Sequence, residues 1–146
     1  MNVEYVKETK IVYFRRIGSY GIENRDIMQS FKRWVKSENL LQGSTILGIA
    51  LDNPQHVPAE KCRYDVCLIT NENHFKNNEI NQRTLKSGSY AVFKILHTEI
   101  AINEFYQKIG TIISDNQLKV SERPIIERYQ KELVDSGFCE IMIPIE

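Results

Sequence analysis

Arg63-Tyr64-Asp65-Val66-Cys67-Leu68 and Phe138-Cys139-Glu140-Ile141-Met142-Ile143 are two runs of the same kind, one in each half of the chain. Each alternates as a strand does, with residues two apart on one face. Val66 and Leu68 share one side of the first run, and Asp65 and Cys67 the other. Ile141 and Ile143 share one side of the second, with Ile145 following, and Glu140 and Met142 the other. Further back, Val12-Tyr13-Phe14 in the run Lys10–Ile17 lies over Ala91-Val92-Phe93 in the run Tyr90–Ile95. Between them, Ile27, Phe31, Trp34 and Val35 fall at helical spacing, with Asn24 placed to cap a helix over about residues 24–38. Ile102, Tyr106 and Ile109 lie over Ile27, Phe31 and Trp34. The short apolar runs Thr45–Leu51 and Ile125–Tyr129 complete the match.

The repeat of element order predicts an α+β fold. Two strand–helix–strand–strand modules, about residues 3–70 and 87–146, form a tandem pseudo-two-fold repeat in one domain. Residues 71–86 hold five asparagines and few apolar side chains, so they read as a linker with one edge strand near Glu79–Thr84. The strands should make an antiparallel sheet with helices on one face and a ligand groove at the module interface. The bare face, carrying Cys67 and Met142, is the expected groove.

Composition narrows the function. The 146 residues hold 19 Lys plus Arg and 19 Asp plus Glu, a formal net charge of zero. A protein that grips nucleic acid by its phosphates carries a basic surplus, so direct nucleic-acid binding is not expected. The N-terminal Met1-Asn2-Val3-Glu4-Tyr5 lacks the pattern of a secretory signal, and no apolar run is long enough to span a bilayer. Cys62, Cys67 and Cys139 are an odd set without a signal peptide, which reads as reduced thiols in a cytoplasmic protein. No metal or cofactor is expected. His56, His74 and His97 are far apart, Cys62 and Cys67 have no second cysteine pair, and no phosphate-binding glycine loop or nucleophile elbow is present.

Several stretches together resemble the GyrI-like family. They are Gly18-Ser19-Tyr20 with Phe31 and Trp34, Leu51-Asp52-Asn53-Pro54, and Val57-Pro58-Ala59-Glu60-Lys61-Cys62-Arg63-Tyr64-Asp65. In the second half they are Ser87-Gly88-Ser89-Tyr90-Ala91-Val92-Phe93, Pro124-Ile125-Ile126-Glu127-Arg128-Tyr129, and Pro144. The resemblance implies the same tandem fold. In AraC- and MerR-type multidrug regulators this domain is the effector-binding part and takes bulky, aromatic, often cationic compounds. Stand-alone members include inhibitors of DNA gyrase and hydrolases of cyclopropane-bearing DNA alkylators. With no helix-turn-helix segment flanking it, the chain reads as a stand-alone member.

Glu127 is the first candidate. It shares a strand face with Tyr129, and a carboxylate among aromatic walls attracts a delocalised cation. The alternative is a solvated glutamate beside Arg128. By position it resembles the family's pocket carboxylate. Met142 and Cys67 hold matching places on the last strands of the two modules. Tyr13 and Tyr90 lie on the opening strands, with their face left open by the alternation. Trp34 and Tyr20 complete the ligand-binding set, each with plain packing as its alternative. Arg63 and Asp65, near Glu60, read as a structural ion pair. Three functions fit. The first is a binding protein for hydrophobic aromatic cations that protects against toxic compounds. The second is a hydrolase of strained cyclopropanes, with Glu127 as base and Tyr129 as hydrogen-bond donor. The third is an interaction protein with DNA gyrase as partner.

Overall fold

The computed structural model describes residues 1–76 and 80–146. The first half runs β1 (Asn2–Val6), β2 (Thr9–Ile17), α1 (Ile22–Ser37), β3 (Thr45–Ala50), a short 3-10 turn at Ala59–Lys61, and β4 (Arg63–Ile69). The second runs β5 (Asn81–Leu85), β6 (Gly88–Leu96), α2 (Glu99–Gln107), α3 (Ile109–Asp115), β7 (Ile126–Gln130), α4 (Lys131–Asp135) and β8 (Phe138–Ile145). All eight strands join one antiparallel sheet in the order β1-β6-β8-β7-β3-β4-β2-β5. Exchanging β1–β4 with β5–β8 leaves that order unchanged when it is read from the other end. The pseudo-two-fold axis therefore passes between the antiparallel neighbours β3 and β7.

The alternation in β2 and β4 gives no hint of β1, which pairs with β6 of the other half, while β5 pairs with β2. Each half thus supplies the edge strand of the other. The edge strand expected near Glu79–Thr84 is β5; Glu79 itself lies outside the described residues. Helix α1 begins at Ile22 behind Gly21, so Asn24 is no cap. Its Oδ1 instead accepts a hydrogen bond from Arg16. The second long helix is two, α2 and α3, meeting at Lys108.

The helices lie on one face of the sheet. Phe31 packs edge-on against Phe14 at 5.3 Å between ring centroids, and Phe105 packs against Phe93 at the same distance. The counterpart of Phe31 is therefore Phe105, not Tyr106 as the sequence overlay has it. One residue is about 100° of helix, and that turn frees Tyr106 from the core position.

The other sheet face is not bare. Ile11, Leu47, Ile49, Cys67, Tyr90, Val92, Ile126 and Met142 are buried there, joined by Val6 from β1 and Leu85 from β5. Those two strands are the opposite edges of the sheet, so the sheet curls into a half-barrel whose inner face closes on itself. Strand twist accumulated over eight strands has this result. The expected groove on this face is thereby corrected: among the described residues this face is largely packed, with a small crevice between Val6, Leu85, Leu47 and Met142.

Two ionic anchors hold the exchanged edges. Asp65, fully buried, accepts hydrogen bonds from Arg15 at 2.7 and 2.9 Å and from Arg83 of β5 at 2.8 Å. Its counterpart Glu140 accepts from Arg128, which also pairs with Glu4 of β1 at 2.6 Å. Glu4 reaches Arg128 past β6 and β8, a contact that a flat sheet with strands about 4.8 Å apart does not allow. Arg63 pairs with Asp52 rather than Asp65, because β2 sets Arg15 directly across from Asp65.

Replacing Asp65 with Ala leaves Arg15 and Arg83 facing one another without their shared acceptor. We expect a loss of about 3 kcal/mol in unfolding free energy, read as a lower urea midpoint at unchanged slope. A loss below about 1 kcal/mol would show that the anchor does not hold the edge.

Candidate functional site

Glu127 sits at the centre of the helix-covered face. Gly48 of β3 lies directly across from it, on the axis strand pair. Val66 pairs with Gly48 and Ile141 with Glu127, and Val66 and Ile141 correspond in the repeat. Gly48 and Glu127 are therefore counterparts, one in each half, meeting on the axis. The glycine is what makes room. A Cβ at residue 48 would fall 2.7 Å from Glu127 Oε1, 2.4 Å from the Tyr64 hydroxyl and 3.2 Å from Met28 Cε.

Three tyrosines converge on the carboxylate. Tyr64 of β4 donates to Oε1 at 3.0 Å, reaching across the space above Gly48. Tyr129 donates to Oε1 at 3.1 Å from the same strand, and Tyr106 of α2 donates to Oε2 at 3.0 Å. Tyr64 and Tyr129 are buried, and Glu127 keeps partial access to solvent. Tyr20 packs against Tyr64 at 6.4 Å, and its hydroxyl donates to the Arg63 carbonyl at 2.7 Å. It props the cage rather than entering it.

Among the described residues, no Lys, Arg or His forms an ion pair with Glu127. Burial raises its pKa, while the hydrogen bonds from Tyr106, Tyr64 and Tyr129 pull the other way. The same burial and the nearby carboxylate push Tyr64, Tyr106 and Tyr129 upward, so their hydroxyls keep their protons. The result is a carboxylate solvated by neutral donors in a largely apolar surround. Arg25 of α1 and Glu99 of α2 form an ion pair that ties the first turns of the two helices together. Among the described residues no cluster fit to hold a metal is present.

Of the expected site residues, Glu127 and Tyr129 come together. Met142, Cys67, Tyr13 and Tyr90 do not join them, because they sit on the opposite face, inside the half-barrel. Tyr13 there has Arg15 and Arg83 stacked on its ring at 5.3 and 5.0 Å, and Tyr90 carries Arg123 at 4.7 Å. Trp34 packs with Phe14, Phe31 and Phe75 in an aromatic cluster. The sequence reading missed Tyr64, Tyr106 and Gly48. Tyr64 shares the alternation phase of Val66 and Leu68, and a buried tyrosine hydroxyl needs a partner, so that signal was present.

The family described as the GyrI-like small molecule binding domain matches residues 1–146. The SPbeta prophage-derived, regulator-like protein YosT of Bacillus subtilis is 39% identical over 147 residues, covering 100% of this chain and 99% of YosT. The DNA gyrase inhibitor of Escherichia coli K12 is 25% identical over 149 residues, covering 97% and 93%. The structure of SAV2435 bound to tetraphenylphosphonium superposes with a TM-score of 0.69 at 18% identity, covering 99% of this chain and 93% of that one.

Gly48→Ala places a methyl group where the Tyr64 hydroxyl and Glu127 Oε1 meet. We expect it to destabilise the fold by about 1–3 kcal/mol in urea denaturation. It should also break the Tyr64 hydrogen bond, moving the Glu127 carboxyl titration further up when followed by carbon-13 NMR. An unchanged titration would show that the gap at Gly48 does not set the cage.

Proposed function

We propose that this chain, which belongs to the GyrI-like small-molecule-binding family, takes up bulky aromatic cations with Glu127 as the charge-selecting group. The observation that carries the reading is the contrast among the protein's own carboxylates. Asp52, Asp65 and Glu140 are each neutralised by arginine, whereas among the described residues Glu127 is met only by tyrosine hydroxyls. An ionised carboxylate taken out of water without a cation costs several kcal/mol. A delocalised cation entering the site relieves that cost, and tyrosine rings beside it add cation–π attraction.

Met28 stands over Gly48 and Tyr106 over Glu127, and a large ligand displaces both. Methionine is the side chain that adapts most readily to such repacking. SAV2435, which shares the fold, is seen bound to tetraphenylphosphonium, a cation of this chemical class. In the cell the chain would hold toxic compounds of this kind out of circulation.

A second reading uses the same group. A carboxylate with a raised pKa, ringed by hydroxyls that keep their protons, has a base and hydrogen-bond donors side by side. Water addition to a strained cyclopropane would use Glu127 as base and Tyr129 as donor.

Calorimetric titration with tetraphenylphosphonium and with uncharged triphenylphosphine oxide tests the first reading. Glu127→Gln should weaken the cation by roughly tenfold or more and leave the oxide unchanged. Equal loss for both ligands would remove Glu127 as the selecting group. Turnover of an activated cyclopropane that Glu127→Gln abolishes would move the second reading ahead.

The affinity should also depend on pH. Glu127 is raised in the free protein, and a bound cation stabilises its ionised form, so binding releases a proton below the raised value. Affinity for tetraphenylphosphonium should rise with pH through the acidic range and level off once Glu127 is ionised. Glu127→Gln should flatten that profile, and a profile unaltered by the substitution would contradict the assignment.

A further inference from the structure

A second opening lies on the outer side of Tyr129. It is a cleft of roughly 210 Å³, open to solvent on one side. Lys32 of α1, Lys131 of α4, Ser44, Ile46, Val134 and the Tyr129 ring line it. The Lys32 ammonium stands 5.0 Å from the centroid of the Tyr129 ring. The same tyrosine thus serves both places: its hydroxyl bonds Glu127, and its ring face carries a cation.

The charge balance of this cleft is the reverse of that at Glu127. Lys131 pairs with Asp135 on its own helix, whereas Lys32 forms no ion pair among the described residues. Burial and the neighbouring Lys131 both press against the charged form of Lys32, with Cys139 opposing them. Ser44 adds a hydroxyl that donates to no group within the described protein. Two ammonium groups and a hydroxyl beside Ile46 and Val134 make a surface for an anion attached to an apolar body.

The repeat gives a second, independent pointer. Phe31 and Phe105 are counterparts, so the residues that follow them, Lys32 and Tyr106, are counterparts too. Tyr106 turns a donor onto the carboxylate in one half. Lys32 turns a cation onto the tyrosine wall in the other.

We propose that the cleft between α1, β3 and α4 binds apolar acids, with Lys32 as principal anchor for a carboxylate, sulfonate or phosphate group and Lys131 assisting. It is a site distinct from the cation site at Glu127, and it stands whether or not that reading does.

The test compares 8-anilinonaphthalene-1-sulfonate with uncharged N-phenyl-1-naphthylamine, both by fluorescence titration. The wild-type protein should bind the sulfonate at least roughly tenfold more tightly than the amine, the scale of one charge-assisted hydrogen bond. Lys32→Met should abolish that preference while leaving the amine unchanged, Lys32→Arg should keep it, and Glu127→Gln should have no effect on it. Added salt should weaken only the sulfonate. Thermal unfolding of Lys32→Met monitors its fold, and Lys131→Met, on the far wall, supplies a second variant with a smaller loss. Equal wild-type affinity for the two probes, or a preference that survives both methionine variants, would overturn the proposal. Loss of the preference on Glu127→Gln would also overturn it, by placing the probe at the other site. Failure of tetraphenylphosphonium to respond to Glu127→Gln bears on the cation site alone.

Discussion

Gly48 and Glu127 face one another across the central strand pair, and the interior of the helix-covered layer is arranged around that opposition. A duplicated sheet brings equivalent residues face to face at its axis, where the Tyr64 hydroxyl and the Glu127 carboxylate leave no room for a second side chain. Here one half contributes no side chain at all. The space left over Gly48 admits the Tyr64 hydroxyl from one strand further out, while Tyr106 and Tyr129 close on the carboxylate from the other half. Each tyrosine donates to a charged acceptor, a bond worth about 1.5–3 kcal/mol. Those bonds favour the ionised form and oppose the burial that raises its pKa.

The curl of the sheet depends on the opposite arrangement. On the inner face, charge is matched by charge: Asp65 with Arg15 and Arg83, and Glu140 and Glu4 with Arg128. These groups pull the exchanged edge strands inward and lock the half-barrel. They also stack on Tyr13, so aromatic side chains that would otherwise be open to a ligand are spent on structure. One face carries carboxylates that are each met by an arginine. The other carries a carboxylate held by weaker, exchangeable partners.

Most of the architecture was legible because its periodicities are strong. The β2, β4, β6 and β8 runs alternate clearly, and the apolar stripe of α1 repeats at helical spacing. What the pattern left out is local or non-local for physical reasons. Strand β1 is paired only with a strand from the other half, so nothing near it in sequence marks it. Helix α4 has five residues, too few for a period to show. Glu127 and Tyr129 could be placed together because they are two residues apart on one strand. Tyr64 and Tyr106 meet them only through topology, and the second depends on a helix register that a one-residue shift in the overlay hides. The inner-face candidates failed for the same kind of reason: alternation assigns residues to two faces without saying which face remains open, and curling decides that.

The asymmetry between halves has a further consequence. Were the repeat perfect, the axis would hold either two glycines or two glutamates, and α1 and α2 would present the same residue toward it. The chain instead pairs glycine with glutamate and lysine with tyrosine at counterpart positions. A symmetric scaffold thereby acquires a direction: the second half supplies the carboxylate with two of its donors, and the first supplies space, one donor and a displaced cation. The two sides of the axis are therefore unlike, one carrying the carboxylate and the other the lysine. Tyr129 stands at the boundary, its hydroxyl engaged on the acidic side and its ring on the basic side.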